Sequence, residues 1–94
     1  MIVSYGDKKT ERFANGGHVK EFSGFARQAE TRLDRLDAAT RLKDLAVMSG
    51  NRLEALKGNR QGQYSIRIND QWRICFEWPA SSTGPINVEI VDYY

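Results

Sequence analysis

The segment Tyr64-Ser65-Ile66-Arg67-Ile68-Asn69-Asp70-Gln71-Trp72-Arg73-Ile74-Cys75-Phe76-Glu77-Trp78 decides how the rest of the chain must be read. Tyr64, Ile66 and Ile68 alternate with Ser65, Arg67 and Asn69, and Trp72, Ile74, Phe76 and Trp78 alternate with Arg73, Cys75 and Glu77. Such alternation is the period of a strand with one buried face. A two-residue turn at Asn69-Asp70 would set Ile68 against Gln71 and send the two apolar sets to opposite sides. A three-residue loop, Asn69-Asp70-Gln71, sets Ile68 against Trp72 and keeps one apolar face. This second register predicts a hairpin in which Arg67 faces Arg73 on the other side, with Lys57 and Arg60 just upstream. Like charges opposed across a ladder cost stability. Two compensations are open. Either Glu77, Glu89 or Asp92 neutralises the pair or the long side chains splay into water, or the cluster serves an anion. A guanidinium suits a phosphodiester because its planar fork binds two oxygens at once, and a few such contacts give salt-dependent RNA affinity.

Working outward, Phe22, Phe25, Ala26, Ala29, Leu33 and Leu36 fall at i, i+3, i+4, i+7, i+11 and i+14, the apolar stripe of a helix. Its other face, with Arg27, Glu30, Arg32, Asp34 and Arg35, reads as solvated surface. Before it, Ile2 to Tyr5 reads as a strand. Asp7 is placed to cap a helical turn from Lys8 to about Ala14, which Gly16-Gly17 stops. Arg41 to Met48 adds a short helical piece, and Leu53 to Leu56 a short strand. Pro79 to Pro85 is a loop. Val88 to Tyr93 is apolar on both sides, which predicts an inner position in the sheet. The order β-α-α-β-β-β-β describes an α+β domain spanning residues 1–94, with two N-terminal helices packed on one face of a twisted antiparallel sheet.

A chain of 94 residues is one small domain, with a modest core that a partner would help to stabilise. The composition, 40% apolar, 28% charged and 11% aromatic, is that of an ordinary globular protein. The formal charge of +2 says little about partners, but its distribution says more. Between Arg52 and Arg73 five cations (Arg52, Lys57, Arg60, Arg67, Arg73) stand against two acids (Glu54, Asp70). Cys75 is the only cysteine, so no internal disulfide forms, and its place between Ile74 and Phe76 marks it as a structural thiol. No stretch approaches a membrane span, and Met1 to Lys9 lacks the pattern of a signal peptide, so the cytoplasm is the expected compartment. His18, the only histidine, sits in the Gly16-Gly17-His18 loop and reads as a surface residue.

Arg52-Leu53-Glu54-Ala55-Leu56-Lys57-Gly58-Asn59-Arg60, continuing through Gly62-Gln63-Tyr64 to Phe76, resembles the HigB toxins, also described as plasmid-maintenance killer proteins. The closing Val88-Glu89-Ile90-Val91-Asp92-Tyr93 is similar to the same family, as are the positions of Glu11-Arg12-Phe13 and the long helix. The Leu-Lys-Gly and Trp-Arg-Ile-Cys-Phe pieces together carry the likeness. The resemblance implies a RelE-superfamily toxin that enters the A site of the 70S ribosome and cuts mRNA without a metal or other cofactor. It also implies a HigA-like antitoxin with a helix-turn-helix domain, through which the complex reaches operator DNA. Matched position by position, Lys57 and Arg73 correspond to the family's catalytic cations and Asp92-Tyr93 to its C-terminal active-site pair. Arg60 and Arg67 fall in the neighbouring RNA-contacting surface.

Those residue types suit attack of a ribose 2′-OH on the adjacent phosphorus, which needs a base, an acid and positive charge on the phosphorane. Arg73 and Lys57 supply charge. Asp92, Glu54 or a lysine of lowered pKa is the base, and Tyr93 stacks on or orients a nucleobase. One departure matters: the family commonly ends this strand in Asp-Tyr-His, and here the third position is Tyr94. Some members also carry histidine where this chain has Glu54. An imidazole exchanges a proton near neutral pH, whereas a phenol with a reference pKa of about 10 is a poor base, so Tyr94 predicts weakened cleavage. Two other readings stand beside the endoribonuclease: a non-cleaving module that binds RNA or the antitoxin, and a toxin acting on gyrase, as the ParE branch of the superfamily does.

Overall fold

The computed structural model describes residues 1–48 and 50–92. Three helices precede four strands: α1 (Lys8–Ala14), α2 (Ala26–Ala38), α3 (Leu42–Ala46), β1 (Glu54–Ala55), β2 (Gln63–Arg67), β3 (Trp72–Glu77) and β4 (Ile86–Asp92). The sheet runs in the order β1-β2-β3-β4, antiparallel at every pairing. This is the expected α+β arrangement, with the helices on one side.

The central hairpin adopts the three-residue loop. Ile66 pairs with Ile74, and Arg67 faces Arg73. Asn69 builds the turn: its Oδ1 accepts from the backbone N–H groups of Gln71 and Trp72, both at 2.8 Å. An asparagine side chain that mimics a backbone turn in this way fixes the loop length locally.

The opening segment is less of a strand than its β-branched residues imply. Among the described residues it forms one parallel bridge, Tyr5 with Val88, because Asp7 starts α1 immediately afterwards, its carboxylate accepting from Thr10 N–H at 2.7 Å. The segment nonetheless covers the outer side of β4. Val3 N–H donates to the Pro85 carbonyl, Val88 N–H to that of Ser4, and Gly6 N–H to that of Val88. β4 is therefore the last strand of the ladder, not an inner one, yet its edge is not left open to further pairing. Its residue Asn87, at φ 53°, carries a bulge: Cys75 pairs with Glu89 and Glu77 with Ile86, so Asn87 and Val88 together face Phe76.

The long helical stripe is also divided. Lys20–Phe25 is a 3-10 segment, and the α-helix begins only at Ala26. Phe22 and Phe25, at i and i+3, share a face in a helix of 3.0 residues per turn as well as in one of 3.6, and both are buried. Gly24 and Ser23, whose hydroxyl turns back to the Lys20 carbonyl, are poor residues for an α-helical first turn. Phe22, Phe25, Ala29, Leu33 and Leu36 then cover Ile66, Ile68, Ile74, Phe76, Val88 and Ile90 to form the core. Trp72 closes its end, 5.0 Å from Phe25 and 5.8 Å from Phe22 between ring centroids.

Candidate functional site

The sheet face turned away from the helices carries the residues of the alternate register. One cross-strand row reads Glu54, Ser65, Cys75, Glu89, and the next places Arg67 against Arg73 and Arg73 against Val91. Arg73 does not splay into water. It is 8% exposed, its Nε donates to Ser65 Oγ at 2.8 Å, and one terminal nitrogen donates to the Arg52 carbonyl at 2.9 Å while lying 3.4 Å from Glu54 Oε1. Arg52 presents that carbonyl from a left-handed backbone, φ 47°, a conformation costing roughly 1–2 kcal/mol outside glycine. Among the described residues the guanidinium is thus held by Ser65, the Arg52 carbonyl and Glu54.

Its neighbours are held as well. Arg67 pairs with Asp70, while its backbone N–H donates to the Asn51 carbonyl and its own carbonyl accepts from Arg32 Nε at 2.9 Å. Asn51 is fully buried; it accepts from Arg35 at 3.1 Å and donates to the Leu45 carbonyl at 3.2 Å, tying the lead-in to β1 onto α2 and α3. Arg60 reaches Gln63 Oε1 at 3.0 Å and Glu89 Oε1 at 3.1 Å. Among the described residues Glu54 pairs with Arg73 and Asp70 with Arg67, while Glu89 pairs with Arg60, Glu77 accepts from the Asn87 side chain and Asp92 accepts from Gln71 Nε2.

Lys57 leads into the 3-10 turn Gly58–Arg60 and is exposed. Its ammonium makes no hydrogen bond or ion pair among the described residues. Asp92 lies across from Trp72, so strand alternation sets it on the face opposite to Arg73. Tyr93 and Tyr94 lie outside the described residues. Cys75 is 1% exposed, and burial pushes its thiol pKa up, a trend that nearby Glu89 reinforces and Arg60 and Arg73 oppose. The thiol is kept protonated and serves packing. His18 is exposed, as a surface residue would be.

Ser65, the Arg52 carbonyl and Asp70 complete this surface without having been singled out as site residues in the sequence. Ser65 was within reach of the register argument, since it shares a face with Arg67 and lies diagonal to Arg73. The Arg52 carbonyl was not, because nothing in the residue type announces a left-handed backbone.

Chemically, the face offers one enclosed guanidinium and two tethered ones. Incoming phosphate would meet donors already fixed in place, at the cost of displacing or sharing carboxylates. A model of the RelE-like toxin of the type II toxin–antitoxin system HigB matches residues 3–94. Toxin HigB-1 of Vibrio cholerae serotype O1 is 38% identical over 80 residues, 83% of this chain and 84% of that one. A solved structure, the YoeB/ParE toxin from Agrobacterium tumefaciens, superposes with a TM-score of 0.56 over 97% of this chain and 92% of its own, at 20% identity, a likeness of fold. The fold, the matched family model and the similarity to HigB-1 together make this chain a member of the RelE-like HigB toxins of type II toxin–antitoxin systems.

Proposed function

We propose that the chain is a metal-independent mRNA endonuclease that works in the cytoplasm on messages held in the ribosomal A site, and that a helix-turn-helix antitoxin restrains it and carries it to operator DNA. The observation that bears most weight is Arg73: a buried guanidinium facing a second arginine, on the side of the sheet that the core does not use. In the proposed reaction a ribose 2′-oxygen attacks the adjacent phosphorus, the bond to the 5′-oxygen breaks, and the products are a 2′,3′-cyclic phosphate and a 5′-hydroxyl. Arg73 and Lys57 stabilise the charge on the phosphorane. Arg60 and Arg67 hold flanking phosphates. Glu54, 3.4 Å from the Arg73 guanidinium, takes the 2′-proton, and Tyr93 orients the base. Tyr94, standing where the family commonly has histidine, puts a phenol of reference pKa about 10 in place of an imidazole that exchanges a proton near neutral pH, so cleavage is slow.

The test is Tyr94→His compared with the unaltered chain for growth arrest and for mRNA cleavage on translating ribosomes. Histidine is expected to raise cleavage about 100-fold, the lower end of the range for a positioned acid or base. If neither form cuts mRNA while both still bind the antitoxin, the chain is instead a non-cleaving binding module. One observation favours that second reading: the register sets Asp92 on the face of Trp72, with its carboxylate on Gln71.

A further inference from the structure

On the helical side of the molecule, the N-terminal segment, α1 and α2 enclose a cavity of about 160 Å3. Its lining mixes the apolar residues Ile2, Phe13, Ala14 and Leu33 with three exposed acids, Glu30, Asp34 and Asp37. These three acids occupy i, i+4 and i+7 of α2 and therefore share one face. They repel one another at that spacing. Asp34 and Asp37 also stand toward the C-terminal end of α2 (Ala26–Ala38), where the helix dipole disfavours negative charge. Among the described residues no cation comes within 4 Å of any of the three. Asp37 accepts the Ile2 backbone N–H at 2.8 Å, which fixes this carboxylate but leaves its charge uncompensated. Tyr5 adds a phenol on the same cavity; burial first, then the Asp37 and Glu11 carboxylates, push its pKa up, so it remains a neutral donor.

The chemistry selects the occupant. Nucleic acid is repelled by three carboxylates. The volume is below the roughly 300–1,000 Å3 of a site for a drug-sized ligand, and suits a single long side chain. A lysine or arginine lays its methylene stem on apolar surface and keeps its charged head at the rim, which matches a lining that mixes apolar residues with exposed acids. The family membership of the chain supplies a protein partner of the right kind. We propose that this cavity is an anchor site for the antitoxin, filled in the complex by one lysine or arginine side chain. The proposal rests on that membership and not on mRNA cleavage.

The experiment uses the full-length toxin and its cognate antitoxin, with Kd measured by calorimetry for the unaltered toxin and three variants. Glu30→Lys/Asp34→Lys reverses two of the acids, Ala14→Trp fills the cavity from α1, and Asp34→Asn removes one charge. The double reversal and the filled cavity are each expected to weaken binding at least tenfold. Asp34→Asn is expected to weaken it several-fold while raising the Tm of the free toxin, because a like-charge contact is lost; a residue with a merely structural role would lower Tm instead. Unchanged affinity in both the reversed and filled variants overturns the proposal. Loss of binding in Ala14→Trp alone also overturns it, since the occupant would then be apolar, and a free toxin that self-associates through this face would assign the cavity to a second copy. mRNA cleavage by the free variants is measured alongside and leaves each of these outcomes readable if cleavage is absent throughout.

Discussion

The sheet face and the helical cavity invert what their charges suggest at first sight. The sheet face is rich in arginine, yet Arg60, Arg67 and Arg73 each have a carboxylate from the same chain, Glu89, Asp70 and Glu54. The cavity is rich in carboxylates, and no cation approaches them among the described residues. A charged surface that is paired internally has its side chains pre-positioned and its net field reduced, so it binds an anion by exchange of partners. An unpaired set on a helix face is destabilising until something outside the chain supplies the counter-charge. The difference distinguishes a surface arranged for reversible, salt-sensitive contact from one that gains most by lasting occupation.

The largest effect expected from breaking this contrast is at Arg73. Arg73→Gln leaves buried Ser65 Oγ without its donor and removes the tie to the Arg52 carbonyl. A loss of about 2 kcal/mol in unfolding free energy follows, since unsatisfied buried polar groups cost about 1–3 kcal/mol. Cleavage, if it runs as proposed, falls a further 10²- to 10³-fold, the scale of losing a fixed donor to a transition-state oxyanion. Denaturant melts and single-turnover cleavage at a temperature where the variant is fully folded separate the two. Charge reversal at Arg73 is a poorer probe, because it would bury a carboxylate beside Glu54. Activity that survives in folded Arg73→Gln removes this residue from the reaction.

That prediction depends on how much of the site was visible in the chain itself. The opposition of Arg67 and Arg73 was legible because a strand has a fixed period of two and only one loop length keeps Ile68 and Trp72 on a common side. The partner of Arg73 was not legible. Glu54 reaches it through β1, a strand of two residues, too short to carry a pattern. The 3-10 start before α2 was hidden for a related reason, the spacing of Phe22 and Phe25 being the same for both helix types. The reduction of Ile2–Tyr5 to one bridge follows from Asp7 beginning a helix just beyond it. The cavity was least legible of all, since it joins side chains from positions 2 to 37 that no local period connects. Glu30 and Asp34 look like solvated charges until α1 and the N-terminal segment are placed beside them.

A smaller effect sharpens the comparison from the basic side. Glu89→Gln frees Arg60 from its ion pair, leaving Gln63 as its neighbour. One more uncompensated cation is expected to tighten binding of a short single-stranded RNA about 3- to 10-fold at low salt and to steepen the plot of log K against log [salt] by up to about 0.7, the increment for one additional phosphate contact on a single strand. Asp34→Asn changes the formal charge by the same amount on the cavity side and is expected to leave both quantities nearly unchanged. Equal responses from the two variants would mean that RNA senses only net charge, and that the sheet face has no special claim on it.

The smallest effect concerns Cys75, packed beneath Arg60 and Glu89 in the row that links Ser65 to β4. Its folded-state pKa is raised from 9.0, burial being the main cause. A raised value means that the folded chain keeps a proton the unfolded chain gives up, so the associated stability is fully present below pH 9 and drains away as pH climbs through the folded value. Cys75→Ala forfeits some packing at neutral pH but has no thiol to ionise. Its unfolding free energy is therefore expected to decline less steeply than that of the unaltered chain as pH rises above 9. Parallel urea melts at four or five pH values read it directly. Parallel slopes would show that the thiol ionises as easily inside the sheet as outside it. Arg60 and Arg73 would then stabilise a thiolate strongly enough to offset its burial, and the row of Glu54, Ser65, Cys75 and Glu89 would be more electropositive than its paired carboxylates imply.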